Sequence, residues 1–278
     1  MLECAEALRA QMGQSPMTYS MKETVTPTPG RVRLGMLTPS SNTVLEPITT
    51  MMLSGVPEAS AHFARFRVRE IALTDAALGQ FEDTELLRAA ELLADAKVQV
   101  ISWNGTSSGW LGFAADERLC EGITRTTGIA ACTSVLALNE IFRLTAVRRF
   151  ALVTPYRDDV QGRIIGNYRR AGFECVAEQH LGIQDNFSFS EVTADEIRRM
   201  TREVARSGPD AIAIFCTNLQ GAPLVEELER DLGVPVYDTV ATAVWKSLGL
   251  VGVDPGRVTG WGRLFRDCGV EETGSQHP

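Results

Sequence analysis

The sequence has few of the residues from which metal sites, disulfide frameworks and nucleic-acid surfaces are built. Its 278 residues include only three histidines and six cysteines. None of them falls in a C-x-x-C pair, a zinc spacing or an H-x-x-x-H pattern. We therefore expect no metal site and, without a secretion signal, reduced thiols in a cytoplasmic protein. A net charge of -8 with no basic stripe argues against nucleic acid or an anionic membrane surface as a partner.

The sequence also lacks membrane-spanning segments and nucleotide-binding motifs. No apolar run reaches the ~18 residues that a membrane span needs. Neither a glycine-rich dinucleotide fingerprint nor a P-loop is present, so no cofactor is predicted. Residues 1–30 lack an apolar core and become polar and rich in Pro and Thr. They are predicted to form a disordered N-terminal extension.

The remaining sequence alternates short apolar runs with amphipathic stretches, which is typical of an α/β fold with parallel sheets. Thr84 and Thr193 are expected to be helix N-caps, the second with Glu196 three residues further on. Strands are predicted over residues 32–37, 61–68, 98–103, 129–132, 149–154, 173–178, 211–215 and 234–238. Helices are predicted over residues 84–94, 114–126, 134–144, 158–170, 193–206, 224–232 and 240–248.

Three segments of the second half repeat segments of the first half, in the same order. The pairs are 34–39 with 151–156, 100–107 with 211–218, and 132–135 with 237–240. This repetition predicts two pseudo-symmetric Rossmann-like lobes with parallel sheets, and an active site in the cleft where their strand C-termini converge. Lobe one is assigned to residues 31–145 and 240–265, lobe two to 146–239, and a tail to 266–278.

Small polar residues cluster in the loops that follow four of the predicted strands. Such a loop offers free backbone N–H groups and hydroxyls, which bind carboxylates or developing oxyanions. For any one of these loops, helix capping is the favoured explanation. Four of them at equivalent points of a duplicated fold nevertheless indicate a site. The loops are residues 39–42, 104–108, 155–156 and 216–218.

Among the cysteines, Cys216 is the strongest candidate for a catalytic residue. It ends an apolar strand and precedes a Thr-Asn pair that could cap a helix. Because helix N-terminal dipoles lower the pKa of a thiol, we expect Cys216 to exchange a proton near neutral pH. A buried, inert cysteine is the alternative interpretation.

Six motifs resemble those of maleate isomerases and arylmalonate decarboxylases in the aspartate/glutamate racemase superfamily. They are Pro-Ser-Ser-Asn-Thr-Val-Leu-Glu-Pro at 39–47, Gly-Thr-Ser at 105–107, Thr-Pro-Tyr at 154–156, Cys-Thr-Asn-Leu at 216–219, Leu-Gly-Val-Pro-Val at 232–236 and Gly-Trp-Gly-Arg-Leu-Phe at 260–265. The resemblance implies a cofactor-free enzyme acting on a small carboxylate, with Cys216 and Tyr156 catalytic. It implies these substrate-binding residues: Pro39, Ser40, Asn42, Gly105, Thr106, Ser107, Asn186, Thr217 and Asn218.

One position departs from the racemases and maleate isomerases, which carry a cysteine in each lobe. Gly105 stands at the lobe-one position that aligns with Cys216. Arylmalonate decarboxylase shares this pattern, in which loss of CO2 leaves an enediolate that the lone cysteine protonates. Asn42 and Asn186 instead resemble the residues of maleate isomerases that hold a substrate carboxylate. Cys132 could replace the missing thiol, or it could be a packed small residue.

The sequence therefore leaves three hypotheses open. The first is a cofactor-independent decarboxylase of a malonate-type or related small dicarboxylic acid that yields one enantiomer. The second is a cis–trans isomerase or racemase of small carboxylates, in which case Gly105→Cys should create or increase racemase activity. The third is a non-catalytic carboxylate-binding protein. A homo-oligomer is an open prediction, because α/β lobes of this size often pair.

Overall fold

The structure is a computed structural model that describes residues 30–79 and 83–268. The predicted N-terminal extension up to residue 29 and the predicted tail beyond residue 268 lie outside the described residues. Within the described part, eight strands form two separate four-stranded sheets, and every neighbouring pair of strands is parallel. This arrangement confirms the predicted two-lobe α/β fold.

The two sheets have the same strand order. The first sheet runs β2-β1-β3-β4 and consists of β1 (Val32–Pro39), β2 (Ala59–Phe66), β3 (Val100–Trp103) and β4 (Ala130–Thr133). The second runs β6-β5-β7-β8 and consists of β5 (Arg149–Thr154), β6 (Glu174–His180), β7 (Ala211–Ile214) and β8 (Val236–Asp238). Strands β1 and β5 are thus equivalent, as are β3 and β7, which agrees with the sequence repeat.

Helices connect the strands and cover the sheets. They are α1 (Leu45–Met52), α2 (Asp75–Leu78), α3 (Asp83–Asp95), α4 (Ser108–Leu111), α5 (Ala114–Thr127), α6 (Ser134–Leu144), α7 (Asp158–Arg170), α8 (Ala194–Ala205), α9 (Val225–Leu232), α10 (Thr239–Leu250) and α11 (Arg263–Asp267). Short 3-10 helices span Leu53–Gly55, Phe187–Glu191, Ala222–Leu224 and Pro255–Arg257. Strands β3 and β7 are buried at every position, as expected for strands of parallel sheets with covered faces.

Local sequence signals explain most of these elements and also the differences from prediction. Thr193 is the N-cap of α8, as predicted, and its hydroxyl accepts a hydrogen bond from the Glu196 N–H. Thr84 is not a cap, because α3 begins at Asp83 and includes it. Strand β8 begins only after Pro235, whose nitrogen has no hydrogen to donate to a ladder. Helix α1 was not predicted.

The proposed lobe boundaries stay a prediction. Helix α10, which was assigned to lobe one, packs against α1 and α6, both in the first half of the chain. Helix α11 ends at Asp267, so it crosses the predicted boundary between lobe one and the tail. Among the described residues, no helix is both long enough and apolar enough to cross a bilayer.

Removing the α8 cap should weaken the fold measurably. Thr193→Ala leaves the Glu196 N–H without its side-chain acceptor, so we expect a loss of about 1 kcal/mol of unfolding free energy in urea titrations. Thr50→Ala is the matched control, because Thr50 is exposed and its hydroxyl only bonds back to the Glu46 carbonyl. The control should change stability by less than about 0.5 kcal/mol. Equal losses in both variants would contradict the cap assignment.

Candidate active site

A small, largely buried cavity lies where loops after the strand C-termini of both sheets meet. Its volume is about 20 Å³, room for about one water molecule. The contributing loops follow β1, β2 and β3 of the first sheet and β5, β6 and β7 of the second. The lining residues are Pro39, Val68, Ile71, Trp103, Gly105, Thr106, Ser107, Trp110, Tyr156, Asn186, Cys216 and Thr217.

The cavity brings together most of the residues that the sequence predicted to touch a substrate. The lining includes the predicted residues Pro39, Gly105, Thr106, Ser107, Tyr156, Asn186, Cys216 and Thr217. Three predicted residues are not part of it. Ser40, Asn42 and Asn218 have their side chains engaged elsewhere, in hydrogen bonds that hold the surrounding loops.

Asn42 and Asn218 tie the loops of the two sheets together. The Asn42 side-chain amide donates to the carbonyl and hydroxyl of Thr217, at 3.1 and 3.2 Å, and its oxygen accepts from the N–H groups of Val44 and Leu45. The Asn218 oxygen accepts from the Thr43 N–H, and its amide donates to the Asn186 carbonyl. Both side chains are almost fully buried. Their side-chain groups thus hold loops rather than face the cavity.

The same Asn42 bonds account for the helix that the sequence analysis missed. The Asn42 oxygen receives the first free N–H groups of α1, and Pro47 lies in the first turn, where a missing N–H costs nothing. An asparagine followed by a proline in the first helical turn was the available signal. Ser40 exchanges hydrogen bonds with the backbone of Val68.

Asn186 lies in the cavity wall, where two hydrogen bonds fix its position. Its amide donates to the Ser41 hydroxyl at 2.7 Å, and its N–H donates to the Arg69 carbonyl. These bonds join a loop of the second sheet to two loops of the first. Asn186 thereby helps to close the cavity as well as to line it.

Tyr156 and Thr106 form a hydroxyl pair across the cavity. Their oxygens are 2.5 Å apart, and each residue follows a strand of a different sheet. The Tyr156 ring is wedged between Trp110 and Phe189, with centroid distances of 5.4 and 5.5 Å. Burial raises the pKa of the Tyr156 hydroxyl well above its usual value, so the phenol stays protonated.

Cys216 lies two residues after the end of β7 and is 3% exposed. Burial raises the pKa of its thiol to about 12, against the opposing effects of the Asn218 N–H and the Tyr156 hydroxyl. The expectation of a lowered pKa is therefore wrong. No α-helix begins beside the thiol: residues 217–220 form a turn, and the next helical turn starts at Ala222. Desolvation consequently outweighs the few dipoles that face the sulfur.

Several hydrogen-bond donors in the cavity wall have no partner among the described residues. They include the Ser107 hydroxyl and the backbone N–H groups of Ser107, Cys216 and Thr217. Donors fixed in this way suit a ligand that carries carboxylate or enolate oxygens. The lobe-one and lobe-two loops both supply them.

Gly105 occupies the position equivalent to that of Cys216, two residues after the end of β3. Its missing side chain is replaced by the indole of Trp103. A Cβ added to Gly105 would lie 2.6 Å from Cε2 of Trp103 and closer still to Cζ2 and Cη2. A Gly105→Cys substitution therefore requires Trp103 to move, and the expected gain of racemase activity stays a prediction.

Four cavity residues were not predicted from the sequence. Val68, Ile71, Trp103 and Trp110 form an apolar part of the wall. Trp103 carried a signal, because it ends a predicted strand directly before a candidate loop. Ile71 and Trp110 carried none, since neither stands in a predicted element or motif.

Cys132 does not replace the lobe-one thiol in the cavity. It lies on β4, is not part of the lining, and its sulfur faces the Ser247 hydroxyl at 3.7 Å. Burial raises the pKa of this thiol too. Among residues 30–79 and 83–268, no group of His, Cys, Asp and Glu is arranged to hold a metal ion.

Two buried carboxyl groups lie behind the cavity loops. Burial raises the pKa of Asp116 on α5 to about 7, although the Thr133 and Ser108 hydroxyls act against it. Burial likewise raises the pKa of Asp238 to about 7, against backbone N–H groups that include that of Val240. Asp238 in turn contributes to the raised pKa of Cys216. The Asp238 carboxyl, when ionised, thus favours the protonated thiol.

Comparisons with known proteins converge on one group of enzymes. A sequence model described as arylmalonate decarboxylase matches residues 44–265. The chain is 27% identical to a maleate isomerase from Nocardia farcinica over 241 residues, 84% of this chain and 95% of that protein. It is 30% identical to an arylmalonate decarboxylase from Bordetella bronchiseptica over 169 residues, 60% of this chain and 70% of that protein.

A solved structure shows the same fold. It is a cysteine-to-serine mutant of the Nocardia farcinica maleate cis–trans isomerase with a covalently bound succinylcysteine intermediate. The two structures align with a TM-score of 0.78 at 25% identity, covering 85% of this chain and 98% of that one.

The raised pKa of Cys216 predicts an unusual pH profile for its alkylation. The rate of labelling by iodoacetamide, followed by mass spectrometry of the Cys216 peptide, should still be rising at pH 10. An ordinary thiol levels off soon after its pKa of about 8.5. The pH at which the labelling rate levels off reports the ionisation of the thiol. Slow access of iodoacetamide to the buried sulfur lowers the rate by the same factor at every pH and does not shift that point. A plateau reached by pH 8 would contradict the assignment, and Cys216→Ser identifies the peptide signal.

Asp116 should make the fold less stable as the pH rises. Its carboxyl ionises near 3.8 when unfolded and near 7 when folded, so between these pH values the unfolded state alone loses the proton. A difference of about three in pKa corresponds to roughly 4 kcal/mol. Urea titrations of Asp116→Asn between pH 4 and pH 8 should therefore show a smaller decline in the free energy of unfolding than those of the parent protein.

Glu121→Gln is the matched control for this test, since Glu121 is an exposed carboxylate on the same helix, α5, and is not among the groups that shift the pKa of Asp116. It should keep the pH dependence of the parent protein. An Asp116→Asn variant with the same pH dependence as the parent would show that the carboxyl is not protonated in the fold.

Proposed function

The chain belongs to the arylmalonate decarboxylase family, within the aspartate/glutamate racemase superfamily, and on that basis we propose that it decarboxylates a malonate-type small dicarboxylic acid. Its relatives are isomerases and lyases, so the chain is an enzyme of one of these two kinds. The proposed reaction needs no cofactor, because the residues around the cavity supply both the oxyanion donors and the proton.

The observation that carries the proposal is geometric: Cys216 lines the cavity, whereas the equivalent position has Gly105 covered by the Trp103 indole. The protonation state of Cys216 supports it. With a pKa of about 12, the thiol is protonated throughout the physiological pH range. A protonated thiol is equipped to donate a proton, whereas addition to a double bond requires a thiolate. An enediolate is a much stronger base than a thiolate, so it can take the proton from this thiol.

The hydroxyl pair and the free N–H groups would hold the intermediate. When the bond between the α-carbon and one carboxylate breaks, its electron pair stays on the α-carbon and CO2 departs. The remaining carboxylate becomes an enediolate, whose two oxygens carry the developing charge. The Thr106–Tyr156 pair keeps one hydroxyl hydrogen free to donate, and the amides of Ser107 and Thr217 add further fixed donors in a buried cavity, where such bonds are strong.

The apolar part of the cavity wall favours departure of one substrate carboxylate as CO2. The side chains of Val68 and Ile71 are purely aliphatic and offer no hydrogen bonds to a carboxylate placed against them. A charged group there is poorly solvated, and its conversion into neutral CO2 relieves that cost. The opposite, polar part of the wall retains the carboxylate that becomes the enediolate.

Proton delivery then comes from one side. The Cys216 hydrogen passes to the α-carbon, and the thiolate left behind is stabilised by the Asn218 N–H until it takes a proton from water. At the equivalent lobe-one position Gly105 offers no acid, and the Trp103 indole fills the space. We therefore infer a single configuration at the new C–H bond.

Cis–trans isomerisation of a small unsaturated dicarboxylate is the second candidate. Asn186 in the cavity wall favours it, as do the maleate isomerases among the relatives. The raised pKa of Cys216 and the absence of a second cavity thiol among the described residues argue against it. Binding without turnover, the third hypothesis, is disfavoured because the relatives are enzymes.

Proton NMR in D2O tests the proposal directly. Malonate, methylmalonate and maleate are incubated with the purified protein, and methylmalonate should yield CO2 and propionate with one deuterium at C2 in a single configuration. Cys216→Ala should lower turnover at least about 100-fold, because the proton donor is lost. Cys132→Ala is the matched control, a buried cysteine outside the cavity, and should keep its activity.

Each alternative gives a distinct product, and the configuration of the propionate is determined by NMR after esterification with a chiral alcohol. Conversion of maleate to fumarate without loss of CO2 would establish the isomerase instead. Propionate of mixed configuration would overturn proton delivery by Cys216 from one side. Samples without protein correct for exchange of the methylmalonate hydrogen with solvent.

A further inference from the structure

Trp103 takes up space on the side of the cavity where a racemase of this fold would carry its second thiol. It is the last residue of β3, it is 1% exposed, and its indole lies against the backbone of Gly105. It also lines the cavity, together with Gly105 and Cys216. The residue therefore both replaces a side chain at Gly105 and forms part of the substrate wall.

The indole is held firmly in this place. Phe66 packs against it with a centroid distance of 5.1 Å, and the Ser134 hydroxyl donates to the Trp103 carbonyl. The next residue, Asn104, is fixed on both sides: its N–H donates to the Leu37 carbonyl, and its carbonyl accepts from the Thr217 hydroxyl. A substrate cannot gain space here by a simple backbone shift.

The size of the cavity makes this wall decisive. A volume of about 20 Å³ means that even a small dicarboxylate requires slight movement of the lining. A substituent on the α-carbon that points toward this wall meets a buried, close-packed indole. Packed interiors of this kind resist the addition of even one methylene group.

We propose that Trp103 sets the size limit of the substrate, so that the site accepts malonates with hydrogen or methyl on the α-carbon and excludes those with an aryl or branched substituent. The proposal rests on the proposed decarboxylation for its kinetic test, but its steric basis stands independently of the reaction.

The kinetic test compares malonate, methylmalonate and phenylmalonate. The parent protein should turn over phenylmalonate at least about 100-fold less efficiently, by kcat/KM, than methylmalonate. Trp103→Leu should raise kcat/KM for phenylmalonate at least about tenfold and keep that for methylmalonate within about tenfold. Trp103→Phe should change the two kcat/KM values in the same directions but by smaller factors. It replaces Trp103→Leu in the test if the leucine variant does not fold.

Trp110→Leu is the matched control, because Trp110 also lines the cavity but lies on α4, away from Gly105. It should not improve phenylmalonate turnover. Equal gains in the Trp103 and Trp110 variants, or a parent protein that already prefers phenylmalonate, would overturn the proposal.

Binding separates this inference from the proposed reaction. In thermal-shift measurements malonate and methylmalonate should raise the unfolding midpoint of the parent protein, and phenylmalonate should raise only that of Trp103→Leu. If no malonate is turned over but this pattern holds, the reaction is wrong and the size limit stands. If turnover occurs and phenylmalonate stabilises both proteins equally, the size limit is wrong and the reaction stands.

A mutant cycle checks the packing itself. Gly105→Ala should lower the unfolding midpoint clearly in the parent background and much less in the Trp103→Leu background, because the clash is relieved. Equal losses in both backgrounds would show that Trp103 does not fill the space beside Gly105.

Discussion

Desolvation of the Cys216 thiol is the physical effect on which the rest of the site depends. A sulfur in contact with water would have an ordinary pKa and could act as acid, base or nucleophile. Enclosed in a cavity with room for about one water, it is kept as a thiol. The enclosure exists only because loops from both sheets meet over it. The asparagine bonds between those loops therefore contribute to the chemistry without facing the substrate.

The duplicated fold supplies two equivalent positions, and this chain uses them differently. Each lies two residues after the end of a strand, at the carboxyl edge of its sheet. In lobe two the position carries a thiol, and in lobe one it carries no side chain at all. The Trp103 indole that covers Gly105 makes the difference structural, since a thiol could not simply be added there. A pseudo-symmetric fold thus carries a thiol at only one of its two equivalent positions.

Relatives with this fold include both isomerases and a decarboxylase, so the fold alone does not select the reaction. The selection depends on whether the cysteine is a thiol or a thiolate and on what occupies the opposite side. Both properties depend on a few surrounding atoms. Asp238 illustrates the point, because a buried carboxyl outside the cavity lining still helps to keep the thiol protonated.

The sequence by itself determined the layout of the fold and the position of the reactive residue. Apolar runs, caps such as Thr193 and the internal repeat are local signals, and they placed Cys216 and Gly105 at equivalent strand ends. Only the tertiary structure decided the pKa of Cys216, the loop-binding role of Asn42 and the place of the Trp103 indole. The reason is that backbone conformation follows from neighbours in sequence, whereas desolvation and packing depend on atoms that distant segments bring together.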